Sequence, residues 1–520
     1  MSYKYSELDN RNLRWFPSDD TRATLLTIHV DSGKIRGLQN LRIDFSYPIT
    51  AIAGRNGSGK TTIIELAACA YHNTGKGFKL SGRKYPYYTF SDFFFQTSTE
   101  GSLSGIKIRY QFIHNKWRSP KNPAGRIGPG WQERIKRHGG RWNDYDGRIK
   151  RTVVYLGIDR TVPHSEKSVA KSYRKLFEPM VERGWELEVK DVVGRIMGKD
   201  YSTFTYMEHS IYRIPIVSNS NFTYSGFNMG AGEGSIFELF SIIRECPDGT
   251  LIVIDEIELG LHEDAQTRLI NELKIICERR KFQIICTTHS PRILESLPPE
   301  GRIYLEPIGE QTNVIKGISP EYATGKLSGR KYSELGVFVE DETAKLIVEN
   351  CLTAEMRSRI DIIPIGSAIG VMRQLAARYK ENEQSKICVL LDGDKRVTHN
   401  DQVRAFINAT EKPQSEILTG WVENRTNYLP GTEWPELWVI RQRNEEIYKK
   451  LAVEFGLEFE RLIEILESAE RAGKHNEFHE VARIINFNQI VVSCSLIKAA
   501  LETNPEEPKI IFKWINSFLN

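Results

Sequence analysis

Residues Ile49–Thr61 read ITAIAGRNGSGKT. A short run of apolar and small residues breaks at Gly54, glycines recur at 57 and 59, and a helical pattern runs from Thr61 to about Tyr71. Gly54, Gly59, Lys60 and Thr61 satisfy the spacing G-x-x-x-x-G-K-[ST] in full, and the strand before it and helix after it are the context the motif needs. Glycine leaves backbone N–H groups free to turn toward an anion, and the helix N-terminus adds its positive end. The expectation is a nucleotide cradle, with ATP as the cofactor. Gly54, Asn56, Gly57, Ser58 and Gly59 wrap the phosphates, Lys60 reaches the β- and γ-phosphates, and Thr61 offers a hydroxyl to Mg2+.

A second apolar strand ends in acids, LIVIDE at Leu251–Glu256. Asp255 is expected to hold Mg2+, directly or through water, and Glu256 to polarise the attacking water. MGAGEGS (Met229–Ser235) precedes it, and TTHS (Thr287–Ser290) ends the next strand.

In this order the four pieces resemble the ABC-type ATPases, and most closely the branch with SMC-like and OLD-type (overcoming lysogenization defect) proteins. The resemblance implies that the MGAGE loop completes the ATP site of an opposite protomer, so the chain works as a homodimer or higher oligomer. It implies that His289 is the switch histidine at the γ-phosphate. Gly230 stands where the family has serine, Glu233 takes the place of Gln or Glu, and Gly232 keeps a helix N-terminus open to phosphate. Gln96, in FSDFFFQTS, matches the glutamine that senses Mg2+ and the γ-phosphate.

The chain has 520 residues, enough for two to four domains, and its formal net charge is only +4. Charge must therefore be read locally. No run approaches the ~20 apolar residues of a membrane helix, and MSYKYSELDNRN has no secretory h-region. Cysteines 69, 246, 277, 286, 351, 388 and 494 are scattered without a C-x-x-C pair, which reads as reduced thiols in a cytoplasmic protein. KLSGRKY occurs twice, at 79–85 and 326–332, in unlike surroundings.

A turn-rich stretch near residue 325 divides the chain. The expected domains are an ATPase domain, 1–325, a parallel α/β domain, 326–436, and a helical region, 437–520. Residues 165–200 are expected to be mostly helical. Beyond 335 strands and helices alternate: GVFVE, helix 342–351, IDIIPIG, helix 368–380, KICVLLD. Such alternation means a parallel sheet with crossover helices. Glu340 ends one strand, and Asp392 and Asp394 end another in ICVLLDGDK. Sites on parallel sheets lie at the strands' carboxyl ends, and carboxylates gathered there repel unless a hard cation joins them.

This order resembles the Toprim fold of topoisomerases, primases and OLD-type nucleases. The resemblance implies that Glu340, Asp392 and Asp394 hold Mg2+ or Mn2+ for phosphodiester cleavage. The family's first motif, V-E-G-x-x-[DE], is here VEDETA: Asp341 replaces glycine and Ala344 stands at the second acid, with Glu342 as its substitute. Lys395 adjoins the aspartates, and Glu433 or Glu436 is a further acid for the site. The whole chain is similar to an OLD-type fusion of an ABC ATPase with a Toprim nuclease, of the kind found in anti-phage defence. That implies an ATP-gated endonuclease acting on nucleic acid, DNA in particular, and answering to a phage trigger or partner effector. The alternative is an ATP-driven sensor or scaffold whose degenerate Toprim domain binds an effector.

Residues 114–151 hold eleven Lys/Arg and three acids, a local excess of +8, with Trp117, Trp131 and Trp142 interleaved. Arginine beside aromatics suits phosphate contact and base stacking, the alternative being a solvated loop. His475 and His479 have metal-compatible spacing but lack the H-E-x-x-H glutamate, so they read as ordinary helix surface.

Overall fold

The structure, a computed structural model, describes residues 3–519 apart from 74–76, 98, 101–102, 120–121, 138–141, 143–146, 167–170, 310, 329–332 and 382–385. For 118–119, 122–126, 321 and 326–328 it describes the backbone only. The chain divides into two units, Tyr3–Arg330 and Lys331–Asn520.

The first unit contains, in chain order, β1 (Thr24–Ser32), β2 (Leu41–Asp44), β3 (Ile49–Gly54), β4 (Ile106–Ser119), β5 (Asn122–Lys136), β6 (Val153–Leu156), β7 (Glu178–Pro179), β8 (Thr203–His209), β9 (Tyr212–Ser218), β10 (Thr223–Ser225), β11 (Leu251–Ile254), β12 (Gln283–Thr287), β13 (Arg302–Ile308) and β14 (Gln311–Lys316). Its central sheet has the order β14-β13-β3-β12-β11-β6, parallel except for β14. Two antiparallel sheets, β2-β1-β4-β5 and β10-β9-β8-β7, accompany it.

The central strands are apolar throughout because both faces are covered. Successive side chains alternate between two cores. Ile252, Ile254, Ile284 and Cys286 enter one, shared with the helices Glu186–Met197, Ala231–Glu245 and Glu263–Arg280. Leu251, Val253 and Ile285 enter the other, shared with β1, β4 and the helix Lys60–Ala68. Burying each such isoleucine contributes roughly 1.5–3 kcal/mol.

One expectation fails here. Among the described residues of 165–200 the long helix is Glu186–Met197, because Glu178–Pro179 pairs with β8, Gly184 turns at φ +89°, and Gly198 ends the helix at φ +66°. Much of the basic stretch is a hairpin, β4 with β5, so the alternative of a loop does not hold there. The two KLSGRKY copies differ in conformation: Lys79–Ser81 is non-helical, whereas Lys326–Ser328 ends the helix Pro320–Ser328. Tertiary context overrides local propensity. The rest of the second copy lies outside the described residues.

The second unit contains β15 (Leu335–Val339), β16 (Ile360–Pro364), β17 (Ile387–Leu391) and β18 (Thr426–Tyr428), all parallel in the order β16-β15-β17-β18. On one face Val337 and Val339 share a core with the helices that follow residue 434. On the other, Phe338 and Val389 pack against the helices Ala368–Glu381, His399–Thr410 and Glu416–Glu423. All seven cysteines are free thiols, six of them buried. Among the described residues no single helix is long and apolar enough to cross a membrane.

Candidate functional site

The first site lies at the carboxyl ends of β3, β11 and β12. β3 stops at Gly54, and the helix opening at Lys60 is entered through Gly57 and Gly59 at φ +77° and +94°. Ser58 is buried within the loop. Lys60 Nζ curls over it, donating to the carbonyls of Gly54 (3.0 Å) and Arg55 (3.3 Å). Burial pulls this ammonium below its ordinary pKa against the opposing field of Glu256, Asp255 and Glu258. The buried lysine is thus set to gain from an added anion.

Thr61 Oγ1 donates to Asp255 Oδ2 at 3.3 Å, and Asp255 Oδ1 accepts from Thr287 Oγ1 at 2.6 Å. A hydroxyl facing a carboxylate is a hard-oxygen pair of the kind Mg2+ takes. Thr287 Oγ1 also accepts the Glu256 N–H at 2.7 Å, which helps hold Glu256 at φ +48°. Burial, then the neighbouring Glu258, raises the Glu256 carboxyl to about 7. Its Oε1 lies 3.3 Å from His289 Nε2, while burial and Lys60 push the imidazole pKa down. A carboxyl poised near neutrality beside an imidazole whose charged form is disfavoured is suited to proton transfer.

Two residues here escaped the sequence reading. Glu258 accepts from the His289 N–H (2.6 Å) and Thr288 Oγ1 (2.7 Å), tying the two strand ends together. Arg160 is buried on the turn after β6 and donates to the carbonyls of Asp255 (2.6 Å), Glu256 (2.7 Å) and Gly157 (2.9 Å). A residue that binds only main-chain carbonyls leaves no motif.

The MGAGE loop departs from expectation. Gly230 caps the helix Ala231–Glu245. Gly232, expected to stay open to phosphate, is packed on Gly260: a Cβ there would lie 2.0 Å from the Gly260 carbonyl oxygen. Glu233, expected at the nucleotide, is buried, its Oε1 accepting from Tyr201, Tyr224 (2.8 Å) and Lys199 (3.3 Å). Three donors inside the fold hold that carboxylate. Gln96 is exposed, and its Oε1 accepts the Leu103 N–H at 3.0 Å.

The basic stretch divides. Arg134, Arg148 and Arg151 are buried, so these three do not contribute to a basic surface, whereas Lys116, Arg137 and Lys150 are exposed. Arg134 and Arg148 donate to the carbonyls of Ala70 (3.0 Å) and Cys69 (2.9 Å), just past the C-terminus of the phosphate-loop helix, where cations are favoured. Arg151 donates to Gly249 O and Gln283 Oε1, both at 2.7 Å. Trp142 stacks on Phe90 at 3.8 Å, inside the fold. The side chains of Arg118, Lys121, Arg126 and Arg141 lie outside the described residues.

The second site lies at the carboxyl ends of β15 and β17. Glu340 and Asp392 are both buried, and Glu340 Oε1 accepts the Asp392 N–H at 3.0 Å. Burial raises the Glu340 pKa. Burial, then Glu340, Asp341, Asp394 and Glu436, raises Asp392 to about 8. Asp392 Oδ1 and Asp394 Oδ1 are buried without a hydrogen-bond partner among the described residues. Burial alone would raise Asp394, but Lys395 and Lys474, each 3.0 Å from its Oδ2, hold it below its ordinary range. A divalent cation fits this oxygen-rich, like-charged set. Between the two aspartates Gly393 packs against the neighbouring loop: a Cβ there would lie 2.6 Å from the Gly431 carbonyl oxygen.

Glu436 is buried at this site, whereas Glu433 pairs with Arg441 at 2.8 Å. Ala344 is in the core, and Glu342 is an exposed first-turn acid 3.4 Å from Lys345. Glu342 therefore does not replace the missing acid. His475 is not ordinary helix surface: its Nδ1 lies 3.2 Å from Glu436 Oε2. It precedes the helix Glu477–Ile485, which carries His479.

Two family models match the first unit: "AAA domain" over residues 33–191, and "AAA domain, putative AbiEii toxin, Type IV TA system" over residues 217–295. A search of curated proteins gives no match. Similar solved structures include the SMC head domain from Thermotoga maritima (13% identity, 56% of this chain and 98% of that one, TM-score 0.32). An SmcHead bound to the C-winged helix domain of ScpA is similar at 15% identity (57% and 98%, TM-score 0.36). An Smc head with an extended coiled coil, bound to the C-terminal domain of ScpA derived from Pyrococcus furiosus, is similar at 13% (59% and 98%, TM-score 0.35). The first model spans the phosphate loop and the second spans Asp255 and Glu256, so the first unit contains P-loop ATPase domains of the AAA type, which imply nucleotide binding, usually with Mg2+.

Proposed function

We propose that the chain is an ATP-dependent, metal-dependent nuclease, with ATP handled by the first unit and phosphodiester cleavage by the second. In the first, Lys60 and the N–H groups of Gly54–Thr61 bind the phosphates, Thr61 and Asp255 would hold Mg2+, and Glu256, backed by His289, takes the proton of the attacking water. Gly230 opens a helix toward the nucleotide of an opposing copy, so the working form is a homodimer or larger.

In the second, Glu340, Asp392 and Asp394 would hold Mg2+ or Mn2+. Such an ion, when bound, activates water and stabilises the leaving oxygen. The observation that carries this reading is the buried, partner-free oxygen of Asp392 against Glu340 at the carboxyl edge of a parallel sheet. A defence role rests on the OLD-type resemblance, and the toxin in the description of one matched model accords with it.

The test is purified protein with Mg2+ or Mn2+ on plasmid, linear duplex, single-stranded DNA and RNA, with and without ATP. Asp392→Asn keeps the shape and one oxygen but deletes the charge. Cleavage should vanish while ATP hydrolysis stays within about twofold of wild type, since the two sites lie on separate sheets. Equal cutting by this variant sinks the reading. Ala344 in the core, where the family has an acid, favours the scaffold alternative. No cleavage by wild type on any substrate, with a partner bound in isothermal titration, would establish it.

A further inference from the structure

The turn Lys474–His475 precedes the helix Glu477–Ile485 and lies against the acids at the end of the sheet. Lys474 Nζ reaches Asp394 Oδ2 at 3.0 Å, and the next residue places His475 Nδ1 3.2 Å from Glu436 Oε2. His475 has φ +66°, a conformation L-residues adopt at a cost and keep where the surroundings impose it. Ligating atoms of Asp341, Glu436 and His475 all lie within 4.8 Å of one another.

Each of the two carboxylates is already oriented. Asp341 Oδ1 accepts the Ala344 N–H at 2.8 Å, capping the helix Glu342–Cys351. Glu436 Oε1 accepts from Thr343 Oγ1 at 2.9 Å. Such supporting bonds fix a ligand's direction before the cation arrives. Beside them Asp392 keeps a buried oxygen with no partner, and Asp341 and Glu436 are two of the charges acting on it. Asp341 stands where the Toprim motif has glycine, and His475 lies outside the segment that resembles that fold.

We propose that Asp341, Glu436 and His475 form a second cation site, whose imidazole nitrogen makes it prefer Mn2+ and other divalent transition cations to Mg2+. Imidazole suits first-row transition metals, whereas Mg2+ favours all-oxygen shells. The site rests on the nuclease reading for its chemical role, as the neighbour of the Glu340–Asp392–Asp394 cation, but not for its occupancy.

The experiment is pulsed electron paramagnetic resonance on the full chain with Mn2+ and no nucleotide, alongside isothermal titration with Mn2+ and with Mg2+. Wild type should show nitrogen-14 coupling to Mn2+. The coupling should disappear in His475→Gln and persist in His289→Gln, which tests the other histidine near acids. Losing one ligand should weaken Mn2+ binding by about tenfold or more and Mg2+ binding by less than about twofold. Glu436→Gln, which keeps the side chain's volume, should repeat the Mn2+ loss if His475→Gln disturbs folding by circular dichroism.

No nitrogen coupling in wild type, or coupling that survives His475→Gln, overturns the site. Cleavage without nitrogen coupling leaves the nuclease reading standing alone. Nitrogen coupling without cleavage leaves the cation site standing and removes the nuclease.

Discussion

Arg160→Ala removes a guanidinium that donates to the carbonyls of Asp255, Glu256 and Gly157 at 2.6–2.9 Å. A hydrogen bond to a charged group contributes about 1.5–3 kcal/mol, so the two bonds to the acidic turn amount to roughly 3–6 kcal/mol. That turn includes Glu256 at φ +48°, and a left-handed non-glycine residue costs about 1–3 kcal/mol unless held. Without Arg160 part of the population should relax, moving the Glu256 carboxylate off the line of the water. If about half of the lost interaction, roughly 1.5–3 kcal/mol, appears in the barrier, kcat falls by roughly 10- to 10²-fold. KM for ATP should change by less than about threefold, because Arg160 holds the turns after β6 and β11 rather than the phosphate loop. Arg160→Lys, a single point charge without the fork, should fall between. Steady-state ATPase kinetics with circular dichroism as the folding control decide it. Wild-type kcat in Arg160→Ala, or a loss confined to KM, would refute the positioning role.

Lys60→Ala should weaken nucleotide binding in a fluorescent-analogue titration. Glu256→Gln should bind nucleotide yet turn over at least ~10²-fold more slowly, and should appear as a dimer or larger by light scattering with saturating ATP and Mg2+. The buried pair of Asp9 and Lys274, 2.7 Å apart, reports on pH. Against burial, hydrogen bonds from Lys274 and Ser6 lower Asp9 from 3.8 to about 2. A depressed folded pKa stabilises above the unfolded value, so about 2 kcal/mol is present above pH 4 and lost as pH falls toward 2. Urea unfolding across that range should show the loss in wild type and not in Asp9→Asn. Arg134→Ala should destabilise by roughly 2–4 kcal/mol and leave the salt dependence of any DNA binding unchanged, the reverse of a phosphate contact.

What was legible in the sequence is what local chemistry imposes. The phosphate loop needs glycines at fixed offsets, and the apolar runs at 49–54, 251–254 and 283–287 admit little besides buried parallel strands. The same holds for Glu340, Asp392 and Asp394, whose strand ends could be placed from alternation alone. The misses have a different cause. Arg134 and Arg148 looked like a nucleic-acid patch because composition does not distinguish an arginine facing solvent from one facing a carbonyl 64 or 79 positions away. His475 meets Glu436 only because the C-terminal helices share a core with the sheet, and the two positions stand 39 residues apart.

The approach of Gly232 to Gly260 has a mechanical consequence. The helix Ala231–Glu245 and the turn after Glu256 meet backbone to backbone, with no side chain between them to compress or rotate. A layer of side chains absorbs small displacements by changing rotamer, but two peptide planes in van der Waals contact transmit them in full. Pressure on the start of that helix, by a nucleotide phosphate of another copy for instance, would push directly on the turn that presents Glu256. Hydrolysis would then be timed by a rigid linkage two residues wide, and a single methyl group at either glycine would jam it.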